Sequence, residues 1–327
     1  MSNTTSIVLP VYGRSELLEP ALASVIALDK PDWQLLIADD GSDLATQQML
    51  ESWLSGQGDP RIHWIQRPRN LGLFANLNRA IHDAETDWVL LLCSDDLLLP
   101  SALSTIHELQ NNWPKSELII STHLSINGKG EPRAGDSAWH HDQVSRRTAV
   151  INPERFVPAL LKLGSLNGNL TGMAFTRKLW QHAGPFREDW RHAADWDWLL
   201  RATERNPVLL NRKPIAKVRT HATQLSNSNR RGGNELQEVA AVVTLLREHR
   251  LVINENQRDE WAAHIMQHQL RNTLKMALTT KPVETIRRIR AVQRAAGISR
   301  TLKSMLKSTG TKRERTPRKN SRETHDP

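Results

Sequence analysis

A single cysteine, Cys93, stands in 327 residues. That excludes an internal disulfide framework and fits a reducing compartment. Long apolar runs are missing too. None approaches the ~20 residues of a membrane span, and the longest candidate, Trp88 to Pro100, is cut by Asp95 and Asp96. Met1-Ser2-Asn3-Thr4-Thr5 runs straight into a strand-like segment without the charged and apolar regions of a signal peptide, so a cytoplasmic setting is expected. The 13 histidines lack zinc-type spacing, which with one cysteine argues against a structural zinc. No internal repeat is visible.

What is present is ordinary for a globular chain of one large or two ordinary domains: 39% hydrophobic and 24% charged residues. The net charge of +9 is concentrated at one end. From Lys281 onward there are 14 Lys and Arg against 4 Asp and Glu, which leaves 30 against 31 over the rest. The body is near neutral, so a nucleic-acid groove across it is not expected.

Strand and helix signals alternate through the first third. Ser6 to Val11 reads as a strand ended by Pro10, and Ser15 as the N-cap of a helix carrying Leu18, Leu22, Val25 and Ile26. The Trp33 to Ala38 strand is followed by a helix through Met49, Leu50 and Trp53. Ile62 to Ile65, a helix over Leu73 to Ala84, the Trp88 to Cys93 strand and a helix opened by Pro100 complete the series. Such alternation implies a parallel sheet there.

Beyond Leu118-Ile119-Ile120 the pattern turns irregular, with a helix expected at Pro153 to Leu163, a strand after Asn167-Gly168-Asn169, a helix around Leu199 and a strand at Ile215 to Val218. Ser226 to Gly233 is polar and Gly-rich, a boundary. The expected division is residues 1–229, a helical extension over 230–307, continuous from Val283 to Leu306, and a disordered basic tail over 308–327.

Two acidic clusters end apolar runs: Asp39-Asp40-Gly41-Ser42 and Ser94-Asp95-Asp96. Ligands of open α/β sheets bind outside the carboxyl ends of strands, and carboxylates on one rim can hold a divalent cation and nucleotide hydroxyls. Simpler roles stay open. The first cluster has the composition of a turn and the second could cap a helix, although Leu97-Leu98-Leu99-Pro100 delays that helix.

The order Ile7-Val8-Leu9-Pro10-Val11-Tyr12, Asp39-Asp40-Gly41-Ser42, Asn70-Leu71-Gly72 with Asn78, Ser94-Asp95-Asp96 and Ala194-Asp195-Trp196-Asp197-Trp198-Leu199-Leu200-Arg201, ending near Arg219-Thr220-His221, resembles family 2 glycosyltransferases of the GT-A fold. The resemblance covers about the first two thirds of the chain. It implies an α/β fold, a mixed sheet flanked by helices, here with a helical C-terminal extension.

The same resemblance implies an inverting, metal-dependent transfer from a UDP- or TDP-sugar to a glycan or lipid-linked acceptor in cell-surface polysaccharide or glycolipid synthesis. Asp95 and Asp96 match the metal- and ribose-binding motif, with Cys93 where the longer motif has its first Asp. Asp40 matches the nucleobase contact, with Pro10 and Tyr12 lining the pocket and Asn70 beside it. His221 matches a position near the metal, Mn2+ or Mg2+, and fits a structural histidine equally well.

Asp195 matches the general base that takes the acceptor's proton, while Asp197, two residues on, faces elsewhere on a helix. Trp190, Trp196 and Trp198 would wall a sugar cleft or belong to the core. Cys93 reads as a small buried hydrophobe. Rival readings are a sugar nucleotidyltransferase, which would want a phosphate loop where Tyr12-Gly13-Arg14-Ser15 offers little, and a non-catalytic protein binding anionic surfaces or nucleic acid through its tail. The basic helix at 283–307 is by default a solvated face. It could also lie on an anionic membrane, at the inner face of the cytoplasmic membrane. Nucleic acid is disfavoured because no aromatic platform accompanies the charge.

Overall fold

The computed structural model describes residues 4–13, 15–133, 139–165, 170–221, 234–277 and 282–313. The expected boundary at 226–233, the turn at 167–169 and the end of the chain from 314 lie outside these residues.

The first third builds β1 (Thr5–Val11), α1 (Ser15–Ile26), β2 (Trp33–Asp39), α2 (Leu44–Gln57), β3 (Ile62–Gln66), α3 (Leu73–Asp83) and β4 (Trp88–Leu91). β3, β2, β1 and β4 lie side by side and parallel, with Val11 opposite Asp39 and Val8 opposite Leu91. Pro10 does not end β1. It lies past the last β4 partner, where a missing N–H costs that ladder no bond.

Then come β5 (Leu97–Leu98), α4 (Ala102–Asn112), β6 (Leu118–Asn127), α5 (Trp139–Asp142), β7 (Ala149–Ile151), α6 (Pro153–Leu163), β8 (Met173–Thr176), α7 (Arg177–Ala183), α8 (Ala194–Thr203) and β9 (Val208–Thr220). β8 is antiparallel to both β4 and β6, which makes the sheet mixed. β9 runs parallel to β6 and takes β5 and β7 as antiparallel neighbours. The short apolar segments at 118–120 and 215–218 are thus pieces of strands of 10 and 13 residues.

Because strand side chains alternate between faces, the sheet divides two cores. Ile7, Leu9, Leu35 and Ile37 pack with Leu18, Leu22 and Val25 of α1 and Leu103 and Ile106 of α4. Val8, Leu36 and Ala38 pack with Leu77 and Ile81 of α3, Phe156 and Leu160 of α6 and Trp198 of α8.

The second core also absorbs the C-terminal helices α9 (Asn234–Glu248), α10 (Glu255–Met276) and α11 (Pro282–Ala296), through Val242, Val243, Met266, Ala291, Val292 and Ala295. Two expectations need correction here. The helix over Val283 to Leu306 is broken at Gly297, whose φ of 75° suits glycine, and α12 (Ile298–Arg313) starts beyond it. The disordered tail does not begin at Ser308, because α12 runs on to Arg313. Once a helix is nucleated, each added residue gains a main-chain hydrogen bond, so polar residues can extend it.

Candidate active site

β2, β1 and β4 end on one rim, and both acidic clusters sit there. Asp39 closes β2, its Oδ1 accepting the Ser42 N–H at 2.9 Å. Gly41 turns the chain with φ 74°, and a Cβ there would stand 2.8 Å from the carbonyl carbon of Arg69. The Ser42 hydroxyl accepts the Gly13 N–H at 3.0 Å, which ties the segment after β1 to the turn after β2.

Asp40 is buried, and its two oxygens accept the Leu71 N–H at 2.8 Å and the Gly72 N–H at 2.9 Å. Burial raises its pKa, against the lowering effect of those two bonds. Asn70 Oδ1 accepts the same Gly72 N–H at 2.8 Å. Tyr12, 59% exposed at the end of β1, leaves its ring open to a ligand, while Pro10 is buried. Asn78 is structural: its amide bridges to the main chain of Phe186.

The second cluster is more tightly built. Asp96 is buried, its Oδ2 accepting the Thr171 hydroxyl at 2.6 Å and its Oδ1 the Arg219 N–H at 2.8 Å. Thr171 in turn accepts the Cys93 N–H at 2.9 Å. Arg219 donates from its guanidinium to the carbonyls of Asp95 and Gly128. His221, just past β9, brings Nε2 to 2.9 Å from Asp95 Oδ2.

Cys93, Asp95 and Asp96 offer ligand atoms within 4.8 Å of one another. Hard cations prefer oxygen, and burial with two neighbouring carboxylates keeps the Cys93 thiol well above its ordinary pKa and therefore neutral. Two carboxylates with an imidazole beside them suit Mn2+ or Mg2+; the thiol does not.

Asp195 stands in the first turn of α8, half-buried, its Oδ2 accepting the Ser165 hydroxyl at 3.2 Å. Burial raises its pKa above the ordinary carboxylate, opposed by the Trp196 N–H, His192 and Ser165.

Asp197 does face elsewhere. It is buried between Arg201 at 2.9 Å and Arg187 at 3.1 Å. Trp198 packs on Phe175 and Phe186 at 4.9 and 5.3 Å, and Trp196 is buried, so both belong to the core; Trp190 stays partly exposed beneath the Arg187 guanidinium.

The family model for glycosyl transferase family 2 matches residues 6–156. Over these residues, a little under half of the chain, it is similar to that family. The GalNAc(5)-diNAcBac-PP-undecaprenol beta-1,3-glucosyltransferase of Campylobacter jejuni is 29% identical over 106 residues, 32% of this chain and 34% of that protein. The chain spans no more than 35% of the length of the first curated relatives it matches.

Among solved structures, S. aureus TarS 1-349 in complex with UDP-GlcNAc superposes with a TM-score of 0.65 at 16% identity, over 95% of this chain and 92% of that one. The mannosyltransferase PcManGT of Pyrobaculum calidifontis, in complex with GDP-Man and Mn2+, gives 0.56 at 13% identity, over 92% and 86%. These likenesses show the GT-A fold.

Thr171 and Ser165 hold acidic side chains and were not singled out from the sequence, and Arg219 was noted only as part of the Arg219-Thr220-His221 segment. Each is a lone polar residue far along the chain from its partner, and only the topology brings them together.

Proposed function

We propose that this chain is an inverting glycosyltransferase that moves a sugar from a UDP- or TDP-sugar to a hydroxyl acceptor. The observation that carries the reading is the carboxylate cluster at the carboxyl rim of the parallel strands, Asp96 held by Thr171 and Arg219 with Asp95 beside His221. The mixed GT-A sheet and the UDP-sugar complex of TarS support it.

In this reading Tyr12, Pro10 and Asn70 frame the nucleobase. Asp40 fixes the Leu71 and Gly72 amides and offers its remaining lone pairs to the base. Asp95, Asp96 and His221 would hold a divalent cation, which would supply charge neutralisation for the departing diphosphate. The acceptor hydroxyl attacks the anomeric carbon from the face opposite the diphosphate, so a new C–O bond forms as the bond to the diphosphate oxygen breaks. Asp195 takes the hydroxyl proton during attack, and the anomeric centre inverts.

The Campylobacter relative is named for an undecaprenol-linked acceptor, which favours a glycan or lipid-linked acceptor here and a place in surface polysaccharide synthesis. No described helix is long and apolar enough to cross a membrane. Exposed Val283, Ile286, Leu302 and Leu306 alternate with Arg287, Arg290 and Lys303 on α11 and α12, which supports peripheral contact with an anionic inner-membrane face.

The test is a panel of nucleotide sugars assayed for Mn2+-dependent release of UDP or TDP and for the anomeric configuration of the product. Turnover with an inverted product is expected. A retained configuration, or no release with any donor, overturns the reading.

A further inference from the structure

We infer that Glu238, in a C-terminal helix far outside the segment matched by the family model, is a positioning residue for Asp195. The inference rests on the proposed role of Asp195 as the base.

The approach to α8 is Arg191-His192-Ala193, and Ala193 occupies the N-cap position. A helix start leaves main-chain N–H groups without intrahelical partners, and an alanine has no side-chain oxygen to accept them. The amide of Ala193 itself, with the two amides that precede it, is held by a carboxylate of α9. Glu238, buried on that helix, takes the Arg191 N–H on Oε1 at 2.8 Å and the His192 and Ala193 N–H groups on Oε2 at 2.7 and 2.9 Å.

Three consecutive amides on one carboxylate leave this segment little freedom, and Asp195 follows Ala193 by two residues. The carboxylate also stands at the positive end of the α8 dipole, where negative charge is favoured.

A second grip comes from the same face of α9. Glu235 lies one turn earlier, with one oxygen 3.6 Å from His192 Nε2 and accepting the Gln269 amide of α10 at 2.7 Å. The network α10–Gln269, α9–Glu235 and Glu238, then the 191–193 main chain, sets where the α8 N-terminus points. The C-terminal helices thereby complete the active site.

The test uses the full chain with Glu238→Ala, Glu238→Gln and Asp195→Asn, following release of UDP or TDP over a panel of nucleotide sugars with Mn2+. Small displacements of a reacting group can cost about 10²-fold, so Glu238→Ala should lose about that much kcat with donor KM and UDP affinity unchanged. Glu238→Gln should lose less, because its amide oxygen still accepts the His192 and Ala193 N–H groups. Circular dichroism and the thermal midpoint establish that each variant folds, and Glu238→Gln decides the matter if the alanine variant does not.

Wild-type kcat in a folded Glu238 variant, or a loss confined to donor KM, overturns the positioning role. Wild-type turnover by Asp195→Asn overturns the base assignment instead, and no release of UDP or TDP by the unmutated chain with any nucleotide sugar overturns the transferase reading itself.

Discussion

His221 Nε2 stands 2.9 Å from Asp95 Oδ2, although 126 residues separate them in sequence. The parallel β6–β9 pair carries His221 to this point, and the short β5–β9 pair ties β9 to the loop that carries Asp95. Asp95 and Asp96 are neighbours with different duties. Asp95 shares its carboxylate with a histidine that can bind a cation, while Asp96 is locked between Thr171 and Arg219.

Asp95→Asn should therefore weaken Mn2+-dependent UDP binding by at least the about 10–100-fold typical of residues that merely orient a metal ligand, with little change in stability. Asp96→Asn should weaken binding and also cost about 1–3 kcal/mol, because its amide cannot accept both the Thr171 hydroxyl and the Arg219 N–H. Calorimetry with UDP and Mn2+, beside urea unfolding, separates the two. Equal stability losses for both variants would contradict this division.

Asp197→Asn is a stability variant. Its buried carboxylate meets Arg187 and Arg201, and Arg201 continues to the Pro185 carbonyl at 2.8 Å. Removing the charge leaves two guanidinium groups facing an amide, at a cost of about 1–3 kcal/mol. The urea midpoint should fall while kcat of the folded fraction stays near wild type. A kcat loss with an unchanged midpoint would assign Asp197 to the chemistry.

The acidic clusters were legible because each ends an uninterrupted apolar run, and carboxylates directly after a buried parallel strand fall on the rim of the sheet. The strands β1 to β4 and helices α1 to α4 followed from the same alternation of periods. The second half resisted for physical reasons. β6 and β9 mix apolar residues with Thr122, His123, Asn211 and Arg212, and their register shifts near Ser121 and His123. Neither shows a clean two-residue period. Glu238, Thr171 and Ser165 carry no periodic signal at all, since their partners are main-chain amides or carboxylates far away in sequence. The tryptophans beside Asp195 looked alike in sequence, and only packing separates core Trp196 and Trp198 from partly exposed Trp190.

The basic C-terminal helices face two ways. Ala291, Val292, Ala295 and Ala296 of α11 are buried in the core, so truncation before α11 would expose apolar surface and test folding before membrane binding. Serine at Val283, Ile286, Leu302 and Leu306 together removes only exposed side chains. Each basic residue near an anionic surface contributes about 1 kcal/mol, so the full chain should sediment with phosphatidylserine vesicles at low salt. The four-serine variant should bind less with an unchanged thermal midpoint. Failure of the full chain to sediment would leave these helices as a solvated face.

As the proposed base, Asp195 would give the reaction a pH signature. A base must be deprotonated to act, and burial raises the pKa of this carboxyl above the ordinary carboxylate range. Turnover should therefore fall as pH drops through that raised value, at a higher pH than an ordinary aspartate would set. The same raised pKa favours the protonated form in the folded state, so Asp195 itself does not make the fold less stable over that interval, and the loss is one of rate. Ser165 donates to Asp195 Oδ2 at 3.2 Å and holds the pKa down. Ser165→Ala should move the acidic limb of kcat further up, whereas Asp195→Asn should lose about 10²–10⁴-fold in rate together with the limb itself. A limb that persists unchanged in Asp195→Asn would place the base on another carboxylate.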